Sequence, residues 1–365
     1  MSRFSRRTVI KGFAATTALA AAGVGATRRA LAAPSVAKGT VFTVSTWGGT
    51  SQAAVKKRIG DEFERATGAT LAYDIGILGT RYSKLIAQRA NPSSDIFFCS
   101  DEALASGLAA GVLEPVRKKG LSNLPEVAGW AMSVKSPSAD TVAGVPYAMI
   151  ALLMAYNPET VKTAPTSWND LWNPEFSGKF SLISPAHSVM PPFLQVISEM
   201  NGGSATNIAP GLAKLAQLRP GKLHVVYPDW AGLLKSGEII MATELTSYLD
   251  VMRSQGYPIE YAVPKEKGIG LMNFVGVVKG TKNPELAEHF LDLTISQQGQ
   301  LGLASDLFIS PINAKLQVPS DLQKKCFCGD RSASLRFFDP AESAKVRPMW
   351  TERLMTEVVP NWKTR

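Results

Sequence analysis

The sequence predicts an α/β protein built on a mostly parallel sheet, and three observations carry that prediction. Between residues 40 and 111 the patterning alternates strand, helix, strand, helix, strand. Such a run closes into parallel strands joined by crossover helices. A second set of alternating segments lies between 147 and 270, and a final strand and helix from 271 onward return the chain. The 365 residues, 45% of them apolar, suffice for about two domains at roughly 150 residues each. That composition excludes a disordered chain and a small disulfide-stapled fold.

Residues 40–46 alternate β-branched and aromatic side chains with small polar ones, a strand pattern that runs into Trp47-Gly48-Gly49. Val55, Ile59 and Phe63 recur at helical spacing, and Gly68 supplies the expected C-terminal cap. A second strand covers 69–75 and a helix 83–90, stopped before Asn91-Pro92; a third, fully apolar strand covers 95–99. A helix over 101–110 ends at Gly111. Residues 144–156 read as apolar and extended. Ser167 with Asp170 three residues later forms a capping-box pattern. Strands are expected at 179–184 and 223–227, and an apolar run at 239–242 follows Gly237-Glu238. A strand at 271–278 precedes a helix opened by Asn283-Pro284, with Ala287, Phe290 and Leu291 on one face. From Asp321 the chain is polar and expected to be helical.

The N-terminus places Arg6-Arg7 ahead of an Ala/Gly-rich stretch at 12–27 and then Ala30-Leu31-Ala32-Ala33. A paired arginine, a modest apolar region and small residues at a cleavage site make a twin-arginine export signal over 1–33. The stretch is too short and weakly apolar to be a good membrane span. The net charge of +9 suggests nucleic-acid binding only until it is located. Arg3, Arg6, Arg7, Lys11, Arg28 and Arg29 all fall in the first 33 residues, where there is no acid. The remainder carries 33 basic against 30 acidic residues, a net of +3, and the nucleic-acid reading loses its support.

Catalytic machinery is not legible. His187, His224 and His289 lack metal-ligand spacing, and no nucleophile elbow, phosphate loop or dinucleotide fingerprint appears. No catalytic residue, metal or cofactor is therefore expected. Cys99 reads as a buried thiol at a strand end. Cys326 and Cys328, separated only by Phe327, could bridge only with strain and make a poor metal pair without nearby histidines. What the sequence offers is a set of polar and aromatic residues after the strands, where open α/β sheets bind ligands. These are Trp47, Gly48 and Gly49 after the first strand, Ser100 and Asp101 after the third, and Ser184 after the 179–184 strand. Glu244 and Thr246 follow the 239–242 run, Asn273 lies in the returning strand, and Tyr147 on the extended stretch joins the set.

Across some 250 residues the order of short phrases resembles the spermidine/putrescine-type branch of the type II periplasmic solute-binding proteins of ABC importers. These phrases include Phe63-Glu64-Arg65-Ala66-Thr67-Gly68, Gly111-Val112-Leu113-Glu114-Pro115, Tyr156-Asn157-Pro158-Glu159, Pro165-Thr166-Ser167-Trp168-Asn169-Asp170-Leu171-Trp172 and Lys282-Asn283-Pro284-Glu285-Leu286-Ala287. The resemblance implies two lobes, each a central mostly parallel sheet flanked by helices, hinged on two crossing strands and closing on a small ligand without catalysis. Lobe 1 would be 34–146 plus 271–320, lobe 2 147–270, with 321–365 a C-terminal helical segment. It implies a monomer in the periplasm, a small-molecule ligand, and a membrane permease and ATPase as partners, with no nucleic acid. Trp47 would be the aromatic contact, and Ser100-Asp101 a contact loop. Glu244 to Thr246, Leu271 and Asn273, and Pro185 replace aromatic and acidic residues of the polyamine binders. The expected cargo is therefore a small polar organic solute, polyamine-like, amino-acid-like or a related amine. The alternatives are a ferric-iron or other anion or metal binder of the same fold, and a periplasmic enzyme with an unrecognised site.

Overall fold

A computed structural model describes residues 33–37, 39–225 and 228–362. All but the last residue of the export signal expected over 1–33 lies outside the described ones, as does the Tyr227 end of the 223–227 strand. Eight strands form the main path of one sheet: β1 (Val41–Thr46), β2 (Thr70–Ile75), β3 (Ile96–Ser100), β4 (Val145–Tyr156), β5 (Phe180–Ile183), β6 (Lys222–His224), β7 (Met241–Leu245) and β8 (Gly268–Val278). Their spatial order is β2-β1-β3-β8-β4-β7-β5-β6. Short strands Leu113–Glu114 and Leu335–Arg336 add to β8, and Glu260–Ala262 adds to β4.

The strand directions build the cleft. β1, β2 and β3 are mutually parallel, and β8 runs antiparallel to both β3 and β4. β4 therefore runs in the same sense as β1–β3 and carries the chain from their side of the sheet to the other. There β7 runs antiparallel to β4 and parallel to β5, which is parallel to β6. The carboxyl ends of the two strand sets consequently point at each other across the middle of the crossing pair β4 and β8. The register measures the gap. Ser100 ends β3 opposite Asn273, which pairs with Ala148, while Leu245 ends β7 opposite Leu152. Ala148 to Leu152 is four residues, about 13 Å along the strand.

The crossing strands hold this arrangement because both faces are covered. All of β4 except Tyr156 is buried, and such continuous apolar runs belong to strands packed on two sides. In lobe 1 Phe42, Phe63 and Phe290 gather with ring centroids 5.0 to 5.9 Å apart. In lobe 2 Trp168 meets Phe193 edge-on at 5.1 Å. Gly68 takes the left-handed conformation at φ 78° and caps the Asp61–Thr67 helix as expected. The Ser167 capping box forms, on a short 3₁₀ turn, Trp168–Trp172.

Three elements differ from the sequence reading. The helix expected at 83–90 is Leu78–Ala87, and its inward residues include an arginine, Arg81, beside Leu85. A charge on the buried stripe hid the first turn. β7 runs on through Leu245, so Glu244 lies inside the strand; its carboxylate accepts from Trp230 Nε1 at 2.9 Å and from the Leu245 amide at 2.7 Å. Asn283 makes no side-chain cap, because its amide donates to Asp95 Oδ1 at 3.0 Å instead. The C-terminal segment pairs Leu335–Arg336 with β8 before its main helix, Pro340–Arg353. No described helix is long and apolar enough to cross a membrane.

Candidate functional site

The lobe 1 edge collects side chains from four elements. Trp47 leaves β1 half-buried, and the Arg81 guanidinium carbon lies 4.9 Å from its ring centre. Gly48 is fixed by space: a Cβ there would stand 2.6 Å from Ile75 Cγ2. Gly49 caps the next helix at φ 65°, a conformation that favours glycine. Ser100 caps the Asp101–Ala109 helix, its Oγ accepting from the Ala103 amide at 3.2 Å. Asp101 Oδ1 accepts from the Glu102 amide at 2.9 Å. Burial nonetheless pushes its carboxyl up to about 7, with a further upward push from neighbouring Glu102.

Tyr147 and Asn273 belong to the crossing strands. Tyr147 is buried with its ring edge-on to Phe98 at 5.1 Å, and burial drives its hydroxyl well above the ordinary tyrosine range. Asn273 is half-buried at an irregularity in the β8–β4 ladder, next to Ser100.

The lobe 2 edge is more self-contained. The Ser184 amide donates to the His224 carbonyl at 2.7 Å, and its Oγ accepts from the Ala186 amide at 3.3 Å. Thr246, 1% exposed, uses its Oγ1 to accept from the Ala151 amide at 3.1 Å, tying helix Thr246–Ser254 to β4. Glu244 is likewise 1% exposed, with His224 Nε2 3.2 Å from its Oε2. Burial lowers the neighbouring His187 imidazole to about 4. Glu244 and Thr246 thus brace the wall of lobe 2 with internal bonds.

A narrow crevice of about 20 Å³ lies between the lobes, with Ser100, Asp101 and Glu102 on one side, Ser188 and Pro192 on the other, and Leu271 and Phe338 among its other walls. Of the residues singled out in the sequence it brings together Ser100 and Asp101. Trp47, Tyr147, Ser184, Glu244, Thr246 and Asn273 are not among its walls.

Two features escaped the sequence reading. Arg81 is one, and the signal was its position three residues after Leu78 and four before Leu85, on the inward stripe of a helix. The other is Arg347, 245 positions from Glu102, whose Nη1 donates to Glu102 Oε1 at 2.9 Å. No local pattern announces so distant a pair. Among the described residues no group of three His, Cys, Asp or Glu could hold a metal ion.

Solved structures share this arrangement. An ABC transporter structure from Clostridium perfringens superposes with a TM-score of 0.74 at 21% identity, covering 87% of this chain and 99% of that one. A spermidine/putrescine-binding periplasmic protein of Haemophilus influenzae is 25% identical over 268 residues, 72% of this chain and 74% of its own length. A gamma-aminobutyric acid-binding protein of Pseudomonas aeruginosa is 23% identical over 299 residues, 78% of this chain and 80% of its own length. The family described as bacterial extracellular solute-binding protein matches residues 58–326. With the carboxyl edges of its two strand sets facing each other across crossing strands, the chain belongs to the family of bacterial extracellular solute-binding proteins.

Proposed function

We propose that this protein captures a small polar organic solute bearing an amine in the cleft between its lobes and delivers it, chemically unchanged, to a membrane permease driven by an ATPase. The facing carboxyl edges carry this reading: Trp47, Ser100 and Asp101 end the lobe 1 strands, and Asn273 crosses beside them. A carboxylate in a partly dry cleft is a fitting partner for an ammonium, since ion pairing restores the charge that burial disfavours. The names of the two relatives share only an amine, and that common chemistry supports the class. Lobe 1 would span 34–146 plus 271–320 and lobe 2 147–270, with 321–365 reaching across both. Export through the twin-arginine route would use Arg6-Arg7.

Melting curves of the purified protein against amines, amino acids, carboxylates and metals test the reading. A ligand at 100 times its dissociation constant adds about 2.7 kcal/mol of stability. An amine is expected to raise the melting temperature, and Trp47→Ala or Asp101→Asn to diminish that rise. A rise confined to carboxylates without an amine, or to metals, contradicts it.

A further inference from the structure

Arg81 is 2% exposed, yet hydrogen bonding does not account for its whole guanidinium. Nε donates to the Gly76 carbonyl at 2.8 Å, and Nη1 to the Phe98 carbonyl at 3.0 Å and Ser45 Oγ at 3.3 Å. All three partners are neutral. Nη2 is buried and has no partner among the described residues. The nearby carboxylate, Asp74, is engaged by Lys84 Nζ at 2.5 Å and Ser45 Oγ at 3.1 Å. By contrast, buried Glu102 is matched by Arg347. Burial draws Arg81 down to about 10. A buried cation without a counter-charge is costly to keep, and an unmade bond from an arginine fork is a vacancy for a carboxylate or phosphonate oxygen.

Its place in the fold makes that vacancy functional. Ser45 and Gly76 stand at the carboxyl ends of β1 and β2 and Phe98 two residues before the end of β3, so the guanidinium lies just inside the edge where lobe 1 would meet its ligand. The rings of Trp47 and Phe97 flank it, each centred 4.9 Å from its carbon. An ammonium stacked on Trp47 would meet a fixed positive charge behind the ring. A negative group admitted as the Trp47 side chain turns aside would meet the free Nη2.

Resting on the amine-solute reading above, we infer that Arg81 is a ligand-recognising residue: it receives the anionic oxyacid end of a zwitterionic solute, so the cargo is an aminocarboxylate or aminophosphonate rather than a diamine. Calorimetric titration with γ-aminobutyrate, 3-aminopropylphosphonate and putrescine tests this on the wild type, Arg81→Met and Arg81→Lys. The wild type binds one or both anion-bearing probes more tightly than putrescine. Arg81→Met loses that affinity by about a hundredfold or more, with a cooperative melt without ligand as the control that it is folded. Arg81→Lys keeps the charge but not the fork, and weakens binding by about tenfold or more. Putrescine binding alone, or full affinity in both variants, overturns the inference and leaves the amine-solute reading intact. Binding of none of the three probes overturns the inference and counts against that reading too.

Discussion

The Arg347 guanidinium donates to Glu102 Oε1 at 2.9 Å and, through its other nitrogen, to the carbonyl of Ala186 at 3.2 Å. Glu102 lies in the first turn of lobe 1's Asp101–Ala109 helix, while Ala186 follows β5 in lobe 2. One side chain from the C-terminal helix therefore holds both lobes. Burial raises the Glu102 carboxyl while Arg347 pulls it back down, so losing the arginine strands a buried acid. Arg347→Ala is expected to cost about 2 kcal/mol in urea unfolding, less than a fully buried pair because Arg347 is one-third exposed. The same variant should show a larger radius of gyration without ligand. An unchanged radius would show that the strap does not set the lobe angle.

Asp101 gives the protein a signed pH dependence. Its carboxyl titrates near 7 in the fold against an ordinary 3.8. Between those values the folded state holds a proton that the unfolded chain has released, so this group's contribution to stability falls as pH rises from about 4 to about 7. Asp101→Asn is therefore expected to match the wild type at low pH and exceed it by about 4 kcal/mol at pH 8. Asp250 is raised to about 7 in the same way. His187, lowered to about 4, acts oppositely and gains stability up to its ordinary pKa of 6.5. Both remain in the variant, so the difference between the two proteins isolates Asp101. Chemical denaturation at pH 4, 6 and 8 measures it.

Glu244, one of the candidate ligand residues in the sequence, spends its carboxylate inside lobe 2 on Trp230 and Leu245. Removing it leaves an indole N–H and a backbone N–H buried and unmatched. Glu244→Ala should thus lower stability by about 2–4 kcal/mol. Glu244→Gln, which keeps one acceptor oxygen, should cost less. Ligand affinity of the folded Glu244→Gln protein is expected to stay within about threefold of the wild type, or under 1 kcal/mol. A larger loss in calorimetry would return Glu244 to the ligand.

Cys326 and Cys328 bring their sulfurs to 2.8 Å in a buried cluster with Leu322. The Cys326 thiol donates to Cys328 and, with Arg331 nearby, draws the Cys328 thiol down to about 7, while Cys326 is raised. In an extracellular family the surroundings are oxidising. A donor disulfide should therefore be attacked by the Cys328 thiolate and then displaced by Cys326, forming the Cys326–Cys328 bridge and releasing the donor as two thiols. Mass spectrometry of unreduced protein is expected to find the peptide lighter by two hydrogens, with Cys99 still a thiol. Alkylation of all three cysteines without reductant would contradict this.

Most of the framework was legible because it rests on local rules. Gly68 capped its helix, Ser167 and Asp170 formed their box, and the β-α-β-α-β alternation up to residue 110 produced parallel strands. The misses arose where a charged residue sits on a buried stripe. Arg81 interrupted the apolar period and delayed the expected start of its helix, and Glu244 made a strand interior look like a strand end. In both cases hydrogen bonds from adjoining elements permit what the local pattern disfavours. The Glu102–Arg347 pair had no local pattern at all.

Small-angle X-ray scattering tests the central claim most directly, with and without saturating amounts of whichever amine raises the melting temperature most. The account expects the radius of gyration to fall on binding and the compound to be recovered intact by mass spectrometry after prolonged incubation. An unchanged radius with a bound ligand, or conversion of the compound into a product, would contradict a hinged receptor that releases its cargo unaltered.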